Sequence, residues 1–171
     1  LRCRSRGHTN ETERTVMELC DLLSADAVIE KLNVTSKKQA LQEIARRAAS
    51  ITSLDERAIF DTLLERERLG TTGVGHGIAI PHGKLQGIEH PVGIFARLTK
   101  SIDFDAIDDQ PVDIIFALLA PIEAGADHLK ALARVSRLLR DRDICEKLRG
   151  SDRSDALYGL LTEPSTTSHA A

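Results

Sequence analysis

The chain has 171 residues, of which 42% are hydrophobic and 29% charged, with a formal net charge of −3. This length is typical of one domain with a well-developed core. The slight acidic excess disfavours a dedicated nucleic-acid-binding protein, which would carry a basic surface. Because only 3% of the residues are aromatic and none is tryptophan, base-stacking platforms are also disfavoured, and we expect an aliphatic core.

The composition also disfavours membrane insertion and disulfide stabilisation. The longest apolar run, Ile114–Pro121, has the length of a strand and is too short to cross a membrane. The three cysteines, Cys3, Cys20 and Cys145, are far apart and form no CxxC pair, which is typical of a reducing compartment. With no secretory segment near the N-terminus, we expect a cytoplasmic protein that is not embedded in a membrane.

The two ends of the chain differ in composition from the part between them. Residues 1–16 are polar and without periodicity, and the only methionine, Met17, follows them. Residues 164–171 have the low-hydrophobicity sequence PSTTSHAA. We therefore predict a disordered extension over residues 1–16, one domain over residues 17–163 and a flexible tail over residues 164–171.

Two helices are predicted before a glycine-rich segment. A Ser-x-x-Gln capping pattern at Ser36 begins a helix that extends to about Ser50. A Ser-x-x-Glu pattern at Ser53 predicts the start of a second helix, which ends at Gly70. The apolar positions at helical spacing are Ala40, Leu41, Ile44, Ala45 and Ala48 in the first helix, and Ala58, Ile59, Thr62, Leu63 and Leu69 in the second.

Two strands and then three helices are predicted after the glycine-rich segment of residues 70–77. The β-rich runs Val92–Leu98 and Val112–Leu119 predict two strands, the second almost wholly apolar and therefore central. The helices predicted after them extend over residues 127–140, 143–148 and 154–161, and the apolar face of the first comprises Leu129, Leu132, Val135 and Leu139. This order predicts an α/β fold around a central sheet.

Several catalytic motifs are absent from the glycine-rich segment. Between Gly77 and Lys84 the spacing departs from that of a P-loop, and Leu85 occupies the position of the hydroxyl that would bind Mg²⁺. The glycines at 73, 75 and 77 do not have Rossmann spacing, and no GxSxG motif of a serine hydrolase occurs. A nucleotide-binding or serine-hydrolase function is therefore disfavoured.

Four histidines, His76, His82, His90 and His128, fall between positions 76 and 128. None has HxxxH or HxxEH spacing, so no metal site is predicted. We interpret His76 and His90 as surface or capping residues.

His82 differs from the other histidines because of its neighbours. Pro81 restricts the backbone before it, and Gly83 after it leaves room for the backbone of another protein. We therefore expect His82 to emerge at an edge, where a buried strand ends, with its imidazole accessible to a partner.

The most specific pattern of the chain surrounds His82. It reads Glu67-x6-Val74-Gly75-x-x-Ile78-Ala79-Ile80-Pro81-His82-Gly83. This pattern resembles that of the fructose/mannitol-class enzyme IIA domains of the phosphotransferase system, and the resemblance extends over about Met17 to Glu163. Stretches such as SKKQALQEIARRAA and IDFDAIDDQPVDIIFALLAP resemble the stand-alone nitrogen-regulatory branch. The resemblance implies a central mixed β-sheet flanked by helices.

The resemblance also implies a site. His82 would be the phosphoryl acceptor, Arg66 and His128 would stabilise the phosphate, and no cofactor or metal would be needed. A neutral imidazole can attack phosphorus, an arginine fork can bind phosphate oxygens, and a histidine near a helix N-terminus can donate a hydrogen bond to them. Glu67 is expected to point about 100° away from Arg66, to shape the helix surface and to take no catalytic part.

The implied function is that of a phosphohistidine carrier. It would receive its phosphoryl group from an HPr-like donor and regulate partner proteins such as sensor kinases or potassium transporters. Two alternatives remain open: a sugar-specific enzyme IIA that passes phosphate to a IIB domain for fructose or mannitol uptake, and a binding module whose His82 is never phosphorylated. The combination of Arg66, His82 and His128 argues against the binding module, which would not need it.

Overall fold

The computed structural model describes residues 17–163. The predicted extension over residues 1–16 and the predicted tail over residues 164–171 lie outside the described residues. In chain order the elements are α1 (Leu19–Leu22), a short 3-10 helix (Ala25–Ala27), β1 (Val28–Leu32), α2 (Lys37–Thr52), α3 (Glu56–Leu69), β2 (Gly73–Gly75), β3 (Ile78–Ala79), β4 (His82–Leu85), β5 (Val92–Ile102), β6 (Val112–Pro121), α4 (Ala126–Arg140), α5 (Arg142–Arg149) and α6 (Ser154–Thr162). None of these helices is long and apolar enough to cross a membrane.

Six strands form one mixed sheet in the order β1-β5-β6-β3-β2, and β4 pairs with β6 next to β3. The pairs β1–β5, β3–β6 and β4–β6 are parallel, whereas β2–β3 and β5–β6 are antiparallel. The strand predicted to be central, β6, has neighbours on both sides, and residues 114–120 are buried. The predicted α/β class, with a central mixed sheet and flanking helices, is confirmed.

The chain from β3 to β4 follows β6 in a single register. Ile78 lies opposite Ile114 and His82 lies opposite Leu118, so the alignment continues across the two residues between the strands. Pro81 interrupts the regular pairing because it has no N–H to donate, although its carbonyl accepts from the Leu118 N–H at 2.9 Å. His82 therefore begins a strand, whereas the sequence analysis placed it after the end of one.

The two long N-terminal helices begin at different kinds of cap. Ser36 caps α2 as predicted, and its hydroxyl accepts from the Gln39 N–H at 3.2 Å. The prediction that Ser53 caps α3 is wrong: Ser53 ends α2 with a φ of 60°. Asp55 caps α3 instead and accepts from the Ala58 N–H at 3.0 Å. Both residue types are good caps, and the left-handed turn between the packed helices α2 and α3 moves the helix start to the second of them.

Three apolar residues predicted to be buried on helix faces lie in solvent. Ala58 is exposed, and the exposed fractions of Leu69 and Leu129 are 86% and 67%. Helix α4 buries a row next to Leu129, consisting of His128, Ala131, Val135 and Leu139. Adjacent residues point about 100° apart on a helix, so periodicity allowed either row. Contact with the sheet selects the row that contains the polar His128.

Candidate functional site

The three residues selected from the sequence, His82, Arg66 and His128, come together at an edge of the sheet. His82 begins β4, which within residues 17–163 is paired only with β6. Arg66 lies in the last turn of α3, and its Nε donates to Nε2 of His82 at 3.3 Å. His128 lies in the first turn of α4, and the centroids of the two imidazole rings are 5.7 Å apart. Three separate elements thus contribute to one small region.

Two hydrogen bonds determine which nitrogen of His82 is available for chemistry. Nδ1 lies 2.8 Å from the carbonyl oxygen of Ile80, and a carbonyl can only accept. Nδ1 therefore carries the ring proton, and Nε2 keeps the lone pair that accepts the bond from Arg66. The imidazole is oriented on one side by its own strand and on the other side by α3. Nε2 is the atom that can act as a nucleophile.

Both imidazoles are held in the neutral form. Burial lowers the pKa of His82, and the charge of Arg66 lowers it further against the opposing hydrogen bond to Ile80. Burial also lowers the pKa of His128, and the positive charges of His82, when it is protonated, and of Lys84 act in the same direction. At neutral pH the His82 ring is therefore uncharged, and its Nε2 lone pair is not lost to a proton.

His128 has a buried nitrogen without a partner. Only 8% of the residue is exposed, and its Nδ1 has no hydrogen-bond partner among the described residues. Gly125, which precedes α4, has no side chain with which to cap the helix. An unsatisfied imidazole nitrogen and an uncapped helix N-terminus are both suited to binding an anion. These groups lie close to His82, because the centroids of the two rings are 5.7 Å apart.

Lys84 also belongs to this region, although the sequence analysis did not select it. Residues two apart in a strand point to the same face of the sheet, so Lys84 projects on the same side as His82. Its side chain is exposed, and its charge acts on His128. The period-two spacing of residues 82 and 84 could have identified Lys84 if this segment had been recognised as a strand.

Glu67 is buried, so the expectation that it shapes the helix surface is wrong. It is 6% exposed, and its carboxylate accepts from the N–H and the hydroxyl of Thr72 and from Nζ of Lys37. Burial lowers the pKa of Lys37, but its hydrogen bonds to Asp105 and Glu67 outweigh this effect and raise it. Glu67 thus ties the end of α3, which carries Arg66, to the glycine-rich segment.

The other two histidines do not join this region. His76 and His90 are both exposed. Within residues 17–163, no group of three or more histidine, cysteine or carboxylate side chains is placed to hold a metal ion.

Close packing at Gly83 determines how near α3 lies to β4. A Cβ atom at this position would lie 2.5 Å from Cγ2 of Thr62, and the Thr62 hydroxyl is held by the Ala58 carbonyl at 2.9 Å. We expect Gly83→Ala to force the helix away from the strand and to lower the free energy of unfolding by about 1–3 kcal/mol. The distance between Arg66 and His82 should increase as α3 moves away from β4.

A second substitution tests this explanation directly. Thr62→Ser keeps the hydroxyl but removes Cγ2, so it should restore most of the stability of Gly83→Ala when the two are combined. Urea unfolding of the wild type, both single variants and the double variant measures the effect. A double variant no more stable than Gly83→Ala alone would show that the Thr62 contact is not the cause.

The chain matches a known family over nearly all of its described length. The family model for "Phosphoenolpyruvate-dependent sugar phosphotransferase system, EIIA 2" matches residues 21–163. Among curated proteins, the chain is 57% identical over 151 residues to a nitrogen regulatory protein of Bradyrhizobium diazoefficiens, covering 88% of this chain and 99% of that protein.

Solved structures lead to the same family. The nitrogen regulatory protein IIA-Ntr from Neisseria meningitidis superposes with a TM-score of 0.79 at 33% identity, covering 83% of this chain and 97% of that chain. The IIA mannitol structure from Escherichia coli has a TM-score of 0.69 at 18% identity, covering 81% of this chain and 98% of that chain. At this identity it supports the fold alone. The chain belongs to the type-2 enzyme IIA family of the phosphoenolpyruvate-dependent phosphotransferase system.

Proposed function

We propose that this enzyme IIA is a phosphohistidine carrier that accepts a phosphoryl group on Nε2 of His82 from an HPr-like donor protein. One observation carries the proposal: the unprotonated nitrogen of a neutral imidazole lies 3.3 Å from the Nε of Arg66. A nucleophile beside a permanent cation is the arrangement that phosphoryl transfer requires, because negative charge collects at the point of attack.

In the transfer step, the lone pair of Nε2 forms a bond to the phosphorus of the donor's phosphohistidine. The donor's own N–P bond breaks, and its ring nitrogen keeps the electron pair. The His82 ring, now bonded at Nε2 and still protonated at Nδ1, carries a positive charge. The Ile80 carbonyl, which accepts from Nδ1, stabilises that charge. No proton has to move during the step.

The phosphoryl group brings roughly two negative charges to the edge of the sheet. Arg66 can turn its planar fork from Nε2 of His82 to the phosphate oxygens. Lys84 adds a second positive charge on the same face, and His128, whose ring centroid lies 5.7 Å from that of His82, and the N-terminus of α4 add hydrogen-bond donors. These groups compensate the charge without a metal ion.

We expect the carrier to act in the cytoplasm and to regulate partner proteins, such as sensor kinases or potassium transporters, through its phosphorylation state. The similarity to nitrogen regulatory proteins favours this role. The physical basis is that a phosphate dianion reverses the charge of one interaction surface. The alternative is a sugar-specific enzyme IIA that passes the phosphoryl group to a IIB domain.

Reconstitution with purified proteins tests both roles. Incubation with phosphoenolpyruvate, enzyme I and an HPr-type donor should give an acid-labile, alkali-stable adduct, and ³¹P NMR should identify it as the Nε2 isomer. If no adduct forms, the result would favour a binding module. Adding a IIB domain with fructose or mannitol distinguishes the transport role from the regulatory role. Fast onward transfer to sugar would favour the transport role, and a stable adduct would favour the regulatory role.

The lowered pKa of His82 predicts the pH dependence of phosphorylation. Since burial and Arg66 hold this pKa below 6.5, the rate should fall as the pH decreases, with the midpoint of the fall below pH 6.5. An NMR titration of the imidazole resonances and the pH–rate profile measure this. An inflection above pH 6.5 in the free protein would contradict the assigned environment.

Stability should change with pH in a related way. Because the pKa values of both His82 and His128 are lowered on folding, the unfolded chain binds more protons than the folded chain below about pH 6.5. With respect to these two rings, the free energy of unfolding therefore has its full value above about pH 6.5. It decreases as the pH falls, and the decrease ends below the folded-state pKa values.

A further inference from the structure

A cavity of about 650 Å³ lies between the β2–β3 hairpin and the corner where α4 meets α5. This volume falls within the range of small-molecule sites. Arg66, His82 and His128 are not among the described residues that line it. Leu139, which does line it, lies about 16 Å along α4 from His128. The cavity is therefore separate from the proposed phosphoryl site.

One wall of the cavity is held in place by polar contacts. The N–H of His76 donates to Oδ2 of Asp108 at 2.9 Å, and the carbonyl of His76 accepts from Nη2 of Arg149 at 2.7 Å. Arg149 also binds the carboxylate of Asp113 through two hydrogen bonds of 2.8 and 2.9 Å. These bonds fix the hairpin turn, in which His76 has a φ of 56°, against α5. A ligand would meet a preformed wall and would not have to order it.

The floor of the cavity is apolar. Ile78, Ile80 and Leu139 line it and are no more than 4% exposed. At its rim, Val74 and Ile107 are 47% and 74% exposed, which is unusual for large aliphatic side chains in the described part of the chain. A ligand with an apolar body would remove this surface from water and gain binding free energy.

The charges around the cavity favour a single anionic group. Arg140 and Arg142 have no ion pair or side-chain hydrogen bond within residues 17–163, whereas Asp113 neutralises Arg149. Glu146 adds one carboxylate to the lining, so a small positive excess remains. Two guanidinium groups can bind one carboxylate, sulfonate or phosphate-ester group. One anionic group is enough to neutralise this excess.

We infer that this cavity is a second binding site of the protein, for a small amphiphilic anion. The apolar body of the ligand lies on Ile78, Ile80 and Leu139, and its anionic group lies at Arg140 and Arg142. The inference does not depend on the phosphorylation of His82, because Arg66, His82 and His128 do not line the cavity.

Two fluorescent probes with the same ring system test the site. 8-Anilinonaphthalene-1-sulfonate carries one sulfonate, whereas N-phenyl-1-naphthylamine lacks it. The anionic probe should bind the folded protein with a Kd about tenfold or more below that of the neutral probe, since hydrogen bonds to a charged group add this much. In ¹H–¹⁵N spectra it should shift the amide signals of Val74, Ile107 and Arg140 and leave that of Arg66 unchanged.

Matched variants decide which residues bind the probe. Arg140→Gln with Arg142→Gln should raise the Kd of the anionic probe about tenfold and leave that of the neutral probe unchanged. Arg134→Gln with Arg137→Gln, which lie on α4 outside the cavity, should change neither Kd. Ser136→Phe, which fills the wall, should weaken both probes. Equal affinity for the two probes, or equal loss in both arginine pairs, would overturn the inference, as would shifted signals at residues away from the cavity.

Discussion

Replacement of His82 by alanine is expected to abolish the acid-labile adduct completely, because no other imidazole of the described residues accepts a hydrogen bond from an arginine at an accessible nitrogen. The nearest imidazole, that of His128, is buried, and its centroid lies 5.7 Å from the His82 ring. The measurement is intact-mass spectrometry after incubation with the phosphorylated donor. Urea unfolding of the same sample checks that the fold is retained.

Two matched variants serve as controls for this experiment. His76→Ala and His90→Ala remove exposed imidazoles and should form the adduct at the rate of the wild type. If His82→Ala still acquires an acid-labile phosphoryl group, the assignment of His82 as the acceptor is wrong. If the His90 variant fails as well, the assay reports on donor binding and not on the acceptor.

Replacement of Arg66 by alanine should slow phosphoryl transfer about 10²–10³-fold, which is the typical cost of removing one preorganised donor from a site where charge develops. Arg66→Lys should recover part of the rate, because lysine restores the charge but not the planar fork. Arg68→Ala, two residues further along the same helix and exposed, is the control and should react normally. Rapid-quench measurement of adduct formation gives all four rates.

A second readout separates an electrostatic role of Arg66 from a structural one. The charge of Arg66 is one of the causes that lower the pKa of His82, after burial. Arg66→Ala should therefore raise the pKa of His82, and Arg66→Lys should lower it again. A slow Arg66→Ala variant whose His82 titration is unchanged would indicate that the helix end has moved. Unchanged kinetics would refute the role altogether.

The features that could be predicted from the sequence depend on local chemistry. Ser36 caps α2 because a hydroxyl can accept from an N–H within the same turn. The apolar run of β6 predicts that this strand is central in the sheet, because only a strand covered on both faces can be apolar throughout. The pattern around His82 resembles that of the enzyme IIA domains, and the family match over residues 21–163 confirms the resemblance.

The predictions that were wrong concern choices between two equally good local solutions. Ser53 and Asp55 are both suitable caps, and His128 and Leu129 both fit a helical period. In each case the selection came from neighbouring elements: the packing of α2 on α3 in the first, and the contact of α4 with the sheet in the second. Glu67 is a related case, since nothing in an ERER run indicates that one carboxylate is buried on Thr72 and Lys37.

The sequence alone determined the fold class, the family and the identity of the candidate acceptor, because these depend on residue types and spacings along the chain. Only the tertiary structure decided that Nε2 of His82 is the free nitrogen, that Lys84 joins the region and that a cavity lies between the β2–β3 hairpin and the corner of α4 and α5. Each of these depends on atoms from separate elements meeting in space, at distances that no spacing along the chain specifies.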